Sequence, residues 1–241
     1  MSGSIGENGA ITGMSWEDLD KAVMGKLNSG SKIRIVTNTV LSPTTKRVFG
    51  EFIAKYPNAK VVTYDPISSS AILEANEKSF GDRIIPDYHF DKADTIISFG
   101  ADFLGTWISP VEYSTAYAKG RKINAKHPKM SRHIQIESGM TLTGSNADNR
   151  VLIKPSEMGA AIATLYSALG GSVSAPALNA KAKNAMNKLA SQLKGNRGKS
   201  IVVSSSNNVM EQIMINKIND CLLYTSPSPR DQRGSRMPSS A

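Results

Sequence analysis

Short β-branched runs alternate with amphipathic stretches of helical length along most of this chain, and that alternation constrains the fold more than any other feature. Apolar runs at 33–36, 60–63, 95–99, 134–136, 151–153 and 201–203 read as strands. Between and around them, 16–27, 68–80, 156–169 and 209–218 carry helical periodicity, as does a stretch opening at Pro43 and closing at Tyr56-Pro57-Asn58. Helix punctuation agrees: Ser15 precedes Trp16, Ser42-Pro43 and Ser109-Pro110 open helices, Ser156 caps another, and Gly81 and Gly120 close two. A strand, a helix and a further apolar strand form the unit that crosses over to a parallel neighbour. The fold expected is α/β, doubly wound, with mainly parallel sheets in Rossmann-like layers.

Composition supports a core without much aromatic help: 40% of residues are hydrophobic but only 6% aromatic, so Ile, Val, Leu, Ala and Met must fill it. Gly170-Gly171 and the residues to Pro176 look like a connector. This divides the chain into an α/β region at 1–170 and the start of a second α/β unit at 171–220. Between its strand-rich parts lies a basic helix with Ala177, Leu178, Ala182, Ala185, Met186 and Leu189 on one side. From Cys221 onward the pattern stops and Pro and Ser scatter without period. Residues 221–241 resemble the translation of a sequencing-adapter read-through, so they are expected to be non-native and outside the fold. A sheet cut at its margin would also leave unpaired backbone groups, predicting poor solubility.

The formal charge is +9. One basic cluster runs from Lys181 to Lys199 and another from Lys119 to Arg132, including Lys122 and Lys129. Both read first as solvated faces. No aromatic residues interleave the 181–199 cluster, which argues against single-stranded nucleic acid, and no nucleic-acid partner is expected. The single cysteine, Cys221, excludes an intrachain disulfide or a cysteine-built metal cluster. His89, His127 and His133 lack the spacing of a zinc site. The longest weakly polar run, 158–171, is too short to span a bilayer, and the first residues have neither the basic start nor the apolar core of an export signal.

Ligands of doubly wound folds sit beyond the carboxyl ends of the strands, so the loops at 64–70, 100–107 and 137–148 are the places to look. Asp65 stands where a ribose-binding acid would, but Thr37-Asn38-Thr39-Val40-Leu41 replaces the glycine-rich turn that lets a backbone approach a pyrophosphate. An Asp-Pro turn is the commoner reading of Asp65 and Pro66. The 100–107 loop offers Gly100, Ala101 and Asp102 in a sharp turn. The 137–148 loop offers Glu137 and Asp148 with hydroxyls at Ser138, Thr141, Thr143 and Ser145. Hydroxyls and backbone amides in such a loop suit phosphate and sugar recognition, while Ser/Thr turns tying a surface loop account for it equally. No P-loop or nucleophile elbow is present.

Four stretches in order carry a family resemblance. Ser15-Trp16-Glu17-Asp18-Leu19 resembles a helix start, and Ala93-Asp94-Thr95-Ile96-Ile97-Ser98-Phe99-Gly100-Ala101-Asp102 a strand and turn, of the molybdopterin oxidoreductase superfamily. Ile136-Glu137 through Arg150 and Ser156-Glu157 is similar to its cofactor loop, and Ser200 through Asn219 to its next repeating piece. The departures, notably Glu137-Ser138-Gly139-Met140-Thr141, resemble the B-subunit family of alternative complex III. The resemblance covers about 13–220. It implies a fragment of the large subunit of a membrane-associated, quinol-oxidising electron-transfer complex of a respiratory chain. The parent would be an oxidoreductase subunit, with this segment a scaffold having no catalytic residue, metal ligand or redox centre of its own. The parent would carry iron–sulfur clusters, and molybdopterin is doubtful. Partners would include a cytochrome c subunit and a quinol-binding membrane subunit, on the periplasmic side of the bacterial inner membrane. The alternative is a cofactor-binding segment of an active molybdopterin-dependent oxidoreductase. Carried over residue by residue, the cofactor-loop role falls on Gly100, Asp102, Glu137, Thr141 and Thr143.

Overall fold

The structure, a computed structural model, describes residues 2–5, 11–27, 30, 32–40, 42–123, 125, 128–174 and 176–223. Two compact units divide between Ile67 and Ser68.

In the first unit, β1 (Ser2–Ile5) pairs antiparallel with β2 (Ile11–Met14). This hairpin was not expected, because its strands are short and rich in Ser, Gly and Thr. Helix α1 (Trp16–Lys26) begins where Ser15 Oγ accepts a hydrogen bond from Asp18 N at 3.1 Å. Strand β3 (Arg34–Thr37), helix α2 (Pro43–Lys55) and strand β4 (Lys60–Thr63) then form a strand–helix–strand unit. The two strands are parallel, with Ile35 opposite Val61. Asp65 ties their carboxyl ends together: Oδ1 accepts from Thr39 N at 2.8 Å and Oδ2 from the Thr39 hydroxyl. These bonds hold its carboxyl below the usual carboxylate range. Asp65 is therefore a loop clasp in this structure.

The second unit holds α3 (Ser70–Phe80), β5 (Thr95–Phe99), α4 (Pro110–Arg121), β6 (Arg132–Glu137), α5 (Leu142–Ser145) and β7 (Asn149–Leu152). It continues through α6 (Met158–Ala168), α7 (Ala180–Gly195), β8 (Ser200–Ser204) and α8 (Val209–Cys221). Its four strands lie in the order β7-β6-β5-β8, and every pairing is parallel. Alternate side chains leave opposite faces of a strand. Ile97, Phe99, Ile134, Ile136 and Val202 pack with the apolar sides of α6, α7 and α8, among them Ile162, Met186, Leu193 and Ile215. On the other face Ile96, Ile201 and Val203 meet an aromatic layer of Tyr88, Phe90, Phe103, Trp107, Tyr113 and Tyr117. Helices thus cover both faces, and the fold is doubly wound α/β.

Three local expectations need correction. Ser156 does not cap α6: residues 155–157 form a single 3₁₀ turn, and Glu157 Oε2 accepts from Lys154 N at 3.0 Å. Ala177 and Leu178 precede α7, which starts where Asn179 Oδ1 accepts from Ala182 N at 2.9 Å. Helix α8 runs past residue 220 to Cys221; Leu222 beyond it is 1% exposed, and its carbonyl accepts from Gly198 N at 2.7 Å. The remaining residues of the 221–241 stretch, from 224 on, lie outside the described residues.

The outer edge of β8 is closed by a side chain. The N–H and C=O of one strand residue point the same way, and at Val202 both point away from β5. Asn219 on α8 meets them, its Oδ1 accepting from Val202 N at 2.9 Å and its Nδ2 donating to Val202 O at 2.8 Å. No helix among the described residues is long and apolar enough to cross a membrane.

Candidate functional site

After β7 the chain jumps back across the sheet to lay β8 beside β5, so the strand order reverses at β5. Two loops and one short helix meet at the carboxyl ends there. The turn after β5 requires Gly100, whose φ is +68° and whose missing side chain leaves room for Ser205 Oγ and Met158 Cε. Its N–H continues the ladder by donating to Ile136 O at 2.8 Å.

Asp102 then reaches across to the loop after β6. Its Oδ1 accepts from Thr143 N at 3.0 Å and from Thr143 Oγ1 at 2.8 Å. Thr143 Oγ1 in turn accepts from Leu104 N at 2.9 Å, returning the link to the first loop. Gly105 fits because a Cβ there would lie 2.2 Å from Asp102 Oδ2.

Glu137 ends β6 and is 2% exposed. Its Oε1 takes a 2.6 Å contact from Arg150 Nε, while Oε2 accepts from Thr141 Oγ1 at 2.7 Å and Thr141 N at 3.3 Å. Thr141 Oγ1 also accepts from Gly144 N at 2.9 Å, capping α5. Gly144 lies so close that a Cβ would stand 1.9 Å from Glu137 Oε1.

All five residues expected from the sequence are therefore brought to one end of the sheet, and their polar atoms are joined to one another and to neighbouring backbone. A buried charge is tolerated when it is paired and hydrogen-bonded, which is the condition of Glu137. The sequence did not indicate the loop after β8, although its Ser204-Ser205-Ser206-Asn207-Asn208 run is a visible polar signal. There Asn207 Oδ1 accepts from Ala71 N at 3.1 Å at the start of α3, and Gln212 Nε2 donates to Ser204 O and Ser206 O at 3.0 and 2.6 Å.

Beneath the aromatic layer, β6 buries His133 and Gln135. Gln135 Nε2 donates to Ala101 O at 3.4 Å, which leaves its Oε1, 3.3 Å from His133 Nε2, as an acceptor. The Tyr117 hydroxyl lies 3.2 Å from His133 Nδ1 and 3.1 Å from Asn146 O. Burial pushes the His133 imidazolium down to about 4, so the ring is neutral near pH 7. Asp148 is raised by burial but held below its ordinary value by the Arg121 guanidinium and the His133 N–H, which approach to 2.6 and 2.7 Å. His89 lies 3.8 Å from Asp87 and 4.0 Å from Asp91; His127 lies outside the described residues. Among the described residues, no group of three or more His, Cys, Asp or Glu is placed to hold a metal ion.

Neither a protein-family model nor a curated protein matches the chain. Among solved structures, a chain of the formyltransferase/hydrolase complex FhcABCD from Methylorubrum extorquens, solved with methylofuran, is similar in fold. The TM-score is 0.53 at 13% identity, over 86% of this chain. This chain spans 55% of the length of that one.

That comparison corrects the family reading. The three-dimensional likeness is to part of a formyltransferase/hydrolase complex, so the assignment to the molybdopterin oxidoreductase superfamily, and within it to alternative complex III, does not stand. The quinol-oxidising respiratory function falls with it, as does the active molybdopterin enzyme kept as its alternative. The physical reason lies in the motifs themselves. Gly100 is fixed by a backbone angle, Asp102 and Glu137 by the need to tie two loops, and Asn219 by a strand edge. Each is a local solution that a doubly wound sheet can reach in any family. The iron–sulfur, cytochrome c and periplasmic expectations came from that resemblance alone.

Proposed function

We propose that this chain is a structural, assembly-forming part of a multi-subunit enzyme of formyl-group chemistry, and that its carboxyl-end loops brace the sheet rather than react. The observation that carries the reading is the state of Glu137. A carboxylate at a strand end could serve as a base or ligand, but this one is enclosed by Arg150, Thr141 and Gly144. Asp102 is likewise engaged by Thr143. The type of assembly is suggested by the similar chain in the formyltransferase/hydrolase complex.

The test is to tag the chain in its native host, purify it intact, and assay formate release from an N-formylated amine. The chain is expected to emerge in stoichiometric amounts with other subunits. Glu137→Gln should lower the melting temperature of the complex while leaving turnover per assembled complex unchanged. A chain that purifies alone would overturn the reading. So would loss of turnover in the Glu137→Gln complex without loss of thermal stability.

A further inference from the structure

The opposite end of the same sheet carries a second feature. Where α4 ends and β6 begins, a groove of about 580 Å³ opens between the aromatic-face loops and the amino ends of the strands. Lys119, Lys122 and Lys129 line it, and no ion pair engages them among the described contacts. The acids on its wall are Asp91 and Asp94. Asp94 lies 3.6 Å from Lys199 Nζ, and Asp91 lies 4.0 Å from His89. Three ammonium groups against two carboxylates leave the lining of the groove net positive.

Ser131 lines the same groove and is 6% exposed. Its backbone is fully engaged, with N donating to Gly120 O at 2.9 Å and O accepting from Arg121 Nη1 at 2.6 Å. Its hydroxyl, by contrast, has no hydrogen-bond partner, and it is the one buried side-chain polar atom so left among the described residues. Gly120 packs close beside it, since a Cβ there would sit 3.3 Å from Ser131 Oγ. An orphaned hydroxyl in a buried wall calls for an account, and a turn of the Ser131 side chain towards an acceptor bound in the groove supplies one.

The geometry points to this groove as a binding site for a small phosphate monoester. A dianionic group with several acceptor oxygens suits three ammonium groups and one free hydroxyl donor better than a monoanionic carboxylate does. The volume falls in the range of small-molecule sites. Asp91 and Asp94 on the wall disfavour an extended polyanion such as nucleic acid. This inference is independent of the assembly reading, because it concerns the opposite end of the sheet.

Calorimetric titration of the full chain with inorganic phosphate and with glycerol phosphate, at matched ionic strength in chloride, tests it. Both ligands should bind and raise the melting temperature, while chloride should do neither. The double variant Lys122→Ala/Lys129→Ala should weaken phosphate binding roughly tenfold, whereas Lys181→Ala/Lys188→Ala should bind as the parent does. Ser131→Ala should melt no lower than the parent without phosphate, because it removes an unpaired buried group, yet lose part of the phosphate-dependent increment. No binding at about 10 mM phosphate, equal binding by the Lys122/Lys129 variant, or tighter binding of a short oligonucleotide than of phosphate would each overturn the proposal.

Discussion

Arg150 Nε stands 2.6 Å from Glu137 Oε1 at the carboxyl end of β6, joining the last residue of one strand to the second residue of the next. The pair is asymmetric, because the Glu137 side chain is 2% exposed and that of Arg150 24%. Removing the glutamate leaves a cation that can still reach water, whereas removing the arginine strands a buried anion. Arg150→Ala should therefore destabilise more than Glu137→Gln, by about 3 against about 1–2 kcal/mol. Urea denaturation of both variants checks the order, and the reverse order would show that the carboxylate is not the buried partner that matters.

Gly144 and Glu137 should be strongly coupled. A Cβ at 144 would meet the Glu137 carboxylate, which is held on both oxygens and has nowhere to move. Gly144→Ala alone should cost about 2 kcal/mol, and much less when Glu137 is already alanine. A double-mutant cycle measured by urea unfolding gives the coupling; additive costs would mean that the clash is relieved elsewhere.

Acid should weaken the fold first through His133. With its pKa at about 4 in the folded chain and near 6.5 when unfolded, the unfolded state takes up a proton that the folded state resists. The stability tied to the neutral ring is complete above pH about 6.5 and declines as the pH falls towards 4, by up to about 3 kcal/mol. Asp148, Glu74 and Glu157 are all shifted downward, so their contributions are lost only at lower pH, below their ordinary values of 3.8 to 4.5. Melting temperatures between pH 4.5 and 8 should slope for the parent and flatten for His133→Gln. An unchanged slope in that variant would assign the acid sensitivity to another group.

Leu222 belongs to the core although it lies beyond the point where the sequence pattern fades. It packs with the α6–α8 layer, and its carbonyl holds Gly198. Leu222→Ala should cost about 3 kcal/mol in urea unfolding, in line with other buried leucines. A cost below about 0.5 kcal/mol would place it on the surface.

Much of the architecture could be read in the residues because the decisive signals are local. Lys60–Thr63 and Thr95–Phe99 are apolar or β-branched runs between turn formers, and their boundaries agree with the structure. Ser42-Pro43 and Ser109-Pro110 likewise mark helix starts by fixed backbone angles and a missing donor. The Ser2–Ile5 and Ile11–Met14 hairpin was hidden because its few strand formers are interrupted by Gly and Ser, and α5 because one turn of helix has no period to detect. The candidate site was legible in part. Asp102, Glu137, Thr141 and Thr143 stand out as polar residues after buried strands. That Asp102 and Thr143 bond to each other depends on β5 and β6 being neighbours, which a separation of 41 residues conceals. The family reading failed for a related reason: order along the chain is shared by many doubly wound sheets, while the family is decided by what the loops enclose.

Asn219 gives the sheet a direction of growth. By filling the donor and acceptor of Val202, it removes the template on which a foreign strand would seat itself beside β8. At the other edge of this sheet, β7, no such plug is found among the described residues. The four-stranded sheet is thus plugged along β8 and, among the described residues, carries no matching plug along β7.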